Sequence, residues 1–523
     1  MHWLTILGVI PIVGAVAVGL VPSGRNHQVK VVALITSLAA LVWTVALATQ
    51  YDTNGARFQL TERADWIPQF GVHYAVGVDG IALVLIGLTA VLVPVVILAS
   101  WNEVEETGRS IRTFFILILL TETLLVGVFA ATDVFLFYVF FEAMLVPMYF
   151  IIGSYGGPQR SYAAVKFLLY SLVGGLLMLA AVIGLYVVSA NQLPSGTFDF
   201  QVLTQLHISG DVEKALFLGF FIAFAIKAPL WPFHTWLPDA ASEAPTGGAV
   251  LLVGVLDKVG TFGMIRYCLP LFPNASDTFA PVVITLSVIG IFYGALLAMG
   301  QRDIKRLIAY TSVAHFGFIA LGIFAFTSQG GVGATLYMVN HGFSTGALFL
   351  VAGFLIARRR SRHIDDYGGV NQVAPWLYGA FFLTGLSSLA LPGLNSFVSE
   401  FLVLVGTFTR YREAAVLATV GIILAALYIL LLVQRTMHGP LKPGNEVITD
   451  LTKREVWVIA PVLAVIIALG IYPKPVLDVI TPAVTATVKD SGHTDPTPSV
   501  PAKDARGEFG VEGTAPFTSG STP

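Results

Sequence analysis

The chain has 523 residues, of which 56% are hydrophobic and 11% charged, with a formal net charge of −2. A soluble domain carries about 25% charged residues, so this composition, with a mean hydropathy of +0.80, excludes an ordinary soluble enzyme. The small net charge argues against a nucleic-acid partner, and the single cysteine, Cys268, excludes an internal disulfide and a cysteine-held metal cluster.

A helix that crosses a bilayer needs about 20 apolar residues. By that measure the chain is an all-α polytopic membrane protein with about fourteen transmembrane helices. They are expected at 2–20, 30–49, 78–99, 112–131, 133–152, 163–188, 213–230, 247–270, 281–299, 305–326, 332–357, 374–410 (interrupted), 414–434 and 455–472. The first starts apolar at Trp3 without a basic leader and reads as an uncleaved span. Residues 50–77 read as an external loop with strand character (FQLTERADW, GVHYAVGVDG). Residues 1–110 form an N-terminal group with that loop, 111–270 a first five-helix half, 281–435 a second, and 455–472 a last helix. Over 485–523 Pro, Gly, Ser, Thr and charge prevail, the composition of a disordered or partner-wrapped external tail.

Basic residues collect in alternate loops: Arg25 and Lys30, Arg109 and Arg112, Arg160 and Lys166, Arg302 to Arg306, Arg358 to Arg362, and Lys442 to Arg454. The positive-inside rule places these loops in the cytoplasm and both termini outside.

Two spans are broken. AIKAPLWPFHTWLPDAASEAP contains Pro229, Pro232, Pro238 and Pro245, and SSLALPGLNSFVSEFLVLVG has Pro392 and Gly393 at its middle. Proline removes a backbone donor and clashes with the preceding turn. Freed backbone groups at membrane depth are tolerated only against protein or water. Broken helices at matching places in two halves mark a transport site and suggest inverted five-helix repeats, each with one broken helix.

Charge inside such spans is expensive and functional by default. Glu142 lies in TDVFLFYVFFEAMLVPMYFIIG, with apolar neighbours on every helical face. Lys227 stands just before Pro229, where Glu142 would make a charge pair sensitive to its separation. Lys258 lies mid-span in GAVLLVGVLDKVGTFGMIRY, with Asp257 either pairing with it or facing another helix. Glu400 follows the second break, in the place Lys227 holds in the first half. Plainer readings exist for each: a packing ion pair for Glu142 and Lys258, snorkelling for Lys227, and a helix N-terminal acid for Glu400. His315 and His341 are mid-span, with Lys305 at the cytoplasmic end, and read either as satisfied packing residues or as a secondary relay. His234, near Asp239 and Glu243, would aid proton entry or tie down its loop, and Glu122 and Asp133 are weaker candidates. No GxGxxG, Walker loop, CxxC or HExxH occurs. Gly342-Phe343-Ser344-Thr345-Gly346 matches GxSxG only in letters, because it lies inside an apolar helix.

Over roughly 75–435 these residues resemble the antiporter-like membrane subunits of respiratory complex I, the proton-pumping NADH:quinone oxidoreductase. The marks are FYVFFEAMLVPMYFIIG, KAPLWPFHTWLPDAASEAPTGGAVLLVGVLDKVG, QRDIKRLIAYTSVAHFGF and SFVSEFLVLVG. Within the family the chain is most similar to the subunit M branch, since the subunits called L and N carry a lysine where Glu400 stands. The resemblance implies a proton-translocating subunit of a bacterial cytoplasmic membrane. It makes Glu142 and Lys227 an interacting pair, Lys258 the central lysine reached through His315 and His341, and Glu400 the terminal acid. It implies no cofactor in this subunit, with NADH, FMN, iron–sulfur clusters and quinone handled by partners. Those partners are the neighbouring subunits L and N, the lateral helix of L, and lipids. Asp257 departs from the apolar residue expected before the central lysine. A subunit of a multi-subunit Na+/H+ antiporter is the nearest alternative, and a structural membrane scaffold a further one.

Overall fold

The computed structural model describes residues 2–497. Lipid offers no partner to backbone groups, so apolar runs close their hydrogen bonds within helices. Among the described residues twelve helices are long and apolar enough to cross a membrane, from Trp3–Leu20 to Lys453–Ile471. The two expected spans outside that set are the broken ones. Gly210–Lys227 carries Asp211, Glu213, Lys214 and Lys227, and the second is split into Pro375–Ser388 and Asn395–Phe408.

The first break follows from its prolines. The helix stops at Lys227, and Trp236–Glu243 resumes the path. Trp236 Nε1 donates to the freed carbonyl of Ile226 at 2.8 Å. At the second break Gly393 takes φ +94°, a conformation that favours glycine, and Asn395 starts the new helix. A third interruption falls inside the span expected at 133–152. Val134–Ala143 and Leu145–Tyr155 meet at Met144, one turn before Pro147, whose ring displaces the preceding turn.

One helix is buried along its whole length, Thr246–Leu271. It alternates α- and π-helical turns, with π segments at Leu252–Leu256 and Met264–Cys268 on either side of Lys258–Gly263. The first break rests directly on it: a Cβ on Gly260 would lie 2.5 Å from Ala228 N. The second broken helix packs as tightly on Ser328–Arg359, where a Cβ on Gly333 would lie 2.6 Å from Val403 N.

The strand character expected in the 50–77 loop is present as an antiparallel ribbon, Gln59–Ile67 with Val72–Val78. The tail differs from expectation. Residues 485–490 belong to a helix, Lys474–Asp490, packed against Gly80–Ala99 and Ser328–Arg359; its Val479 carbonyl approaches Gly80 too closely to leave room for a Cβ there. Beyond it, Asp495 Oδ1 accepts from Ser328 N at 2.6 Å and the His493 ring stacks on Phe326 at 4.3 Å. The rest of the expected tail, 498–523, lies outside the described residues.

Candidate functional site

The charges expected inside the membrane divide into two groups. Around Lys258 a line of polar side chains runs through otherwise apolar packing. Lys258 and Asp257 are both wholly buried, and Lys258 Nζ donates to Asp257 Oδ1 at 3.0 Å, which settles the open question of where Asp257 points. Lys258 Nζ also donates to the Val253 carbonyl and to His341 Nδ1 at 2.6 Å. His341 can accept there only with its proton on Nε2. The His341 and His315 rings stand edge to face with centres 5.3 Å apart. His341 Nε2 and His315 Nδ1 are both buried without a hydrogen-bond partner. On its other edge His315 Nε2 lies 3.4 Å from the Tyr428 hydroxyl, and the Tyr337 hydroxyl lies 3.4 Å from Glu400 Oε2. The result is a sequence of exchangeable groups from the middle of one helix to the second broken helix.

Glu400 is buried, as expected, but two details differ from the sequence reading. It is the sixth residue of Asn395–Phe408, and no acid occupies that helix's first turn. The helix dipole acts within the first turn, so it does not explain this carboxylate. Glu400 also stands after its break and Lys227 before its own, so the two do not hold the same place in the two halves.

Hydroxyls and amides that sequence reasoning missed line the second break. Ser344 Oγ meets Ser387 Oγ at 2.6 Å, Ser387 Oγ donates to Asn395 Oδ1 at 2.6 Å, and Asn340 Nδ2 donates to the Asn395 carbonyl at 2.7 Å. The available signal was the SS and NS dipeptides flanking Leu-Pro-Gly: residues that satisfy backbone groups freed by a proline.

The second group is Glu142 and Lys227. Glu142 is half-buried. It fills the hole left by Gly175, where a Cβ would stand 1.8 Å from Glu142 Oε1. Lys227 is fully buried, with its ammonium 4.9 Å from the centre of the Phe141 ring and 5.7 Å from that of Phe167, a cation–π enclosure. The two are close enough to interact electrostatically, yet Glu142 Oε1 and Lys227 Nζ both lack a hydrogen-bond partner. The pair is therefore open. Among the described residues no hydrogen bond links it to Lys258.

The remaining candidates scatter. Glu122 is buried with neither oxygen partnered. Asp133 does structural work: its carboxylate accepts from Phe135 N and Leu136 N at 2.9 Å, capping the Val134–Ala143 helix, and from His73 N at 3.0 Å. Burial raises its carboxyl above the ordinary aspartate value against the pull of those backbone donors. His234 faces the Tyr293 ring at 5.1 Å. The acids expected beside it are bound by cations, Asp239 by Lys166 at 2.7 Å and Arg306 at 2.5 Å, and Glu243 by Arg362 at 3.0 Å. Lys305 donates to the Ala244 carbonyl at 2.5 Å. It opens on a cavity of about 450 Å³ at the basic end, lined also by Glu103, Glu243, Arg362, Arg454 and Glu455. A pair absent from the sequence reading, Arg266–Asp79 at 2.7 Å, is nearly fully buried near the ribbon.

Broken helices, an enclosed lysine and a polar line within an apolar helical bundle define a polytopic membrane protein with charge held at membrane depth. Comparison with known proteins agrees. Residues 131–425 match the family model described as NADH:quinone oxidoreductase/Mrp antiporter, TM, and residues 29–128 match NADH-ubiquinone oxidoreductase chain 4, amino terminus. NADH-quinone oxidoreductase subunit M of Mycobacterium tuberculosis is 51% identical, over 95% of this chain and 96% of that one. The subunit M of Rhodobacter capsulatus is 40% identical over 93% and 96%. Among solved structures, a chain of respiratory complex I from Thermus thermophilus with bound NADH superposes with a TM-score of 0.85. It is 32% identical, with 94% of this chain and 100% of that one covered. A chain of the Mrp complex from Dietzia sp. DQ12-45-1b gives 0.80 at 20% identity, a likeness of fold alone. The chain belongs to the subunit M family of NADH-quinone oxidoreductases.

Proposed function

We propose that the chain is a proton-translocating subunit of NADH:quinone oxidoreductase, moving protons from the cytoplasm to the outside of a bacterial inner membrane with both termini outside. The observation that carries this reading is the buried line Lys258–His341–His315–Tyr428/Tyr337–Glu400, whose members can each take and release a proton. The open Glu142–Lys227 pair is the switch. Separated, the buried ammonium is disfavoured. Brought together, the two charges support one another. Since Glu142 sits on the flank of the bundle, a neighbouring antiporter-like subunit of the L or N kind can act on it there. The cavity at Lys305 serves as cytoplasmic entry. Redox chemistry on NADH, flavin, iron–sulfur clusters and quinone belongs to partner subunits. One charge moved against 100 mV requires about 2.3 kcal/mol, which the redox step must supply.

The test is Glu142→Ala in the assembled complex. Proton translocation coupled to NADH oxidation should be lost or sharply lowered while the complex still forms. Wild-type translocation in that variant contradicts the reading.

A further inference from the structure

The scheme above uses Lys258 but gives no task to the carboxylate beside it. Successive residues of a helix do not face each other, and yet Asp257 and Lys258 are in contact. The π turn explains how. Asp257 N bonds to the Leu252 carbonyl five residues back, at 3.2 Å, and the widened turn leaves the Val253 carbonyl to the Lys258 ammonium. An ammonium has three donors, and the Val253 carbonyl, Asp257 Oδ1 and His341 Nδ1 take all three. Asp257 caps no helix with its side chain. Its Oδ1 bonds to Lys258, and its Oδ2 is buried with no partner. A lone charge of either sign in this enclosure is strongly unfavourable, whereas the pair is neutral.

We propose that Asp257 is the resident counter-ion of the central lysine, so that the proton-loaded site is a neutral Asp257–Lys258 pair that empties through His341. The inference rests on the proton-transfer reading of Lys258. In the transfer an Nζ–H bond of Lys258 breaks and an Nδ1–H bond of His341 forms, while the Nε2–H bond of His341 breaks and its proton bonds to the unpartnered Nδ1 of His315. The emptied site then holds a carboxylate and a neutral amine. That single negative charge draws the next proton back to Lys258. Asp257 thus lowers the charge of both the loaded and the empty state by one, favouring reloading over standing empty.

The experiment is a double-mutant cycle in the whole complex, with Asp257→Asn, Asp257→Glu, Lys258→Gln and Asp257→Asn/Lys258→Gln. It reads thermal stability of the purified complex and proton translocation in vesicles. Expected are a lower melting temperature and loss of translocation in Asp257→Asn, with recovery of both in Asp257→Glu. The double variant should recover stability but not translocation, because it removes both charges together. If Asp257→Asn does not assemble, a double variant that assembles supports the pairing and one that does not overturns it. Stability losses that simply add, or wild-type translocation in Asp257→Asn while Lys258→Gln lowers it, overturn the proposal alone. Wild-type translocation in Lys258→Gln overturns the proton-transfer reading instead, and the stability cycle still judges the pair.

Discussion

His341 holds the narrowest point of the line, because among the described residues it alone both touches the Lys258 ammonium and faces His315. His341→Ala removes both links at once. It is expected to leave the complex assembled, since the lost ring makes one side-chain hydrogen bond, and to stop proton translocation through this subunit. Equal translocation in variant and wild-type vesicles would show another route around His341. Asp133 gives the opposite expectation. As an N-cap its replacement by alanine should cost about 1 kcal/mol of stability, seen as a lowered melting temperature, with translocation per NADH unchanged. In the sequence Asp133 reads only as a weaker relay candidate. An Asp directly before an apolar run is a helix-start signal that this reading missed; in the fold the carboxylate caps Val134–Ala143. Lys227, Lys258 and Glu400 were legible as buried charges because each interrupts an apolar run. Asp257's orientation was not, since it depends on a π turn that has no compositional mark.

Among the elements, the two breaks were legible because proline and glycine carry their own backbone rules. The hydroxyl lining of the second break was not, because serines on three separate segments converge only in the fold. The helix Lys474–Asp490 was hidden by Pro475 and Pro482 and by alternating polarity, features that in isolation read as a loop. The tight seat of the first break on the central helix leads to a specific expectation. A side chain at Gly260 would strike backbone atoms of Ala228 and Phe224, both at 2.5 Å from its Cβ. Gly260→Ala should therefore destabilise by about 1–3 kcal/mol, the usual range for overpacking, and move the Lys227 helix end. Thermal unfolding of the purified complex measures it, and an unchanged midpoint would mean that the two helices separate without strain.

At the scale of the molecule, composition was enough for class, and apolar run length for most of the spans. Sidedness rests on loop charge. Asn54 and Lys442 lie at opposite ends of the bundle, both exposed, and Cys268, the one native cysteine, is buried. A membrane-impermeant thiol reagent added to intact cells should label Asn54→Cys and leave Lys442→Cys unlabelled; the reverse pattern would invert the orientation. The proposed transport rests on Lys258. The most direct measurement is the number of protons moved per NADH oxidised in sealed vesicles carrying the complex with Lys258→Gln. A buried line that conducts through this lysine predicts fewer protons per NADH than the wild-type complex moves. The same number of protons, with the complex assembled and oxidising NADH, would show that they cross elsewhere.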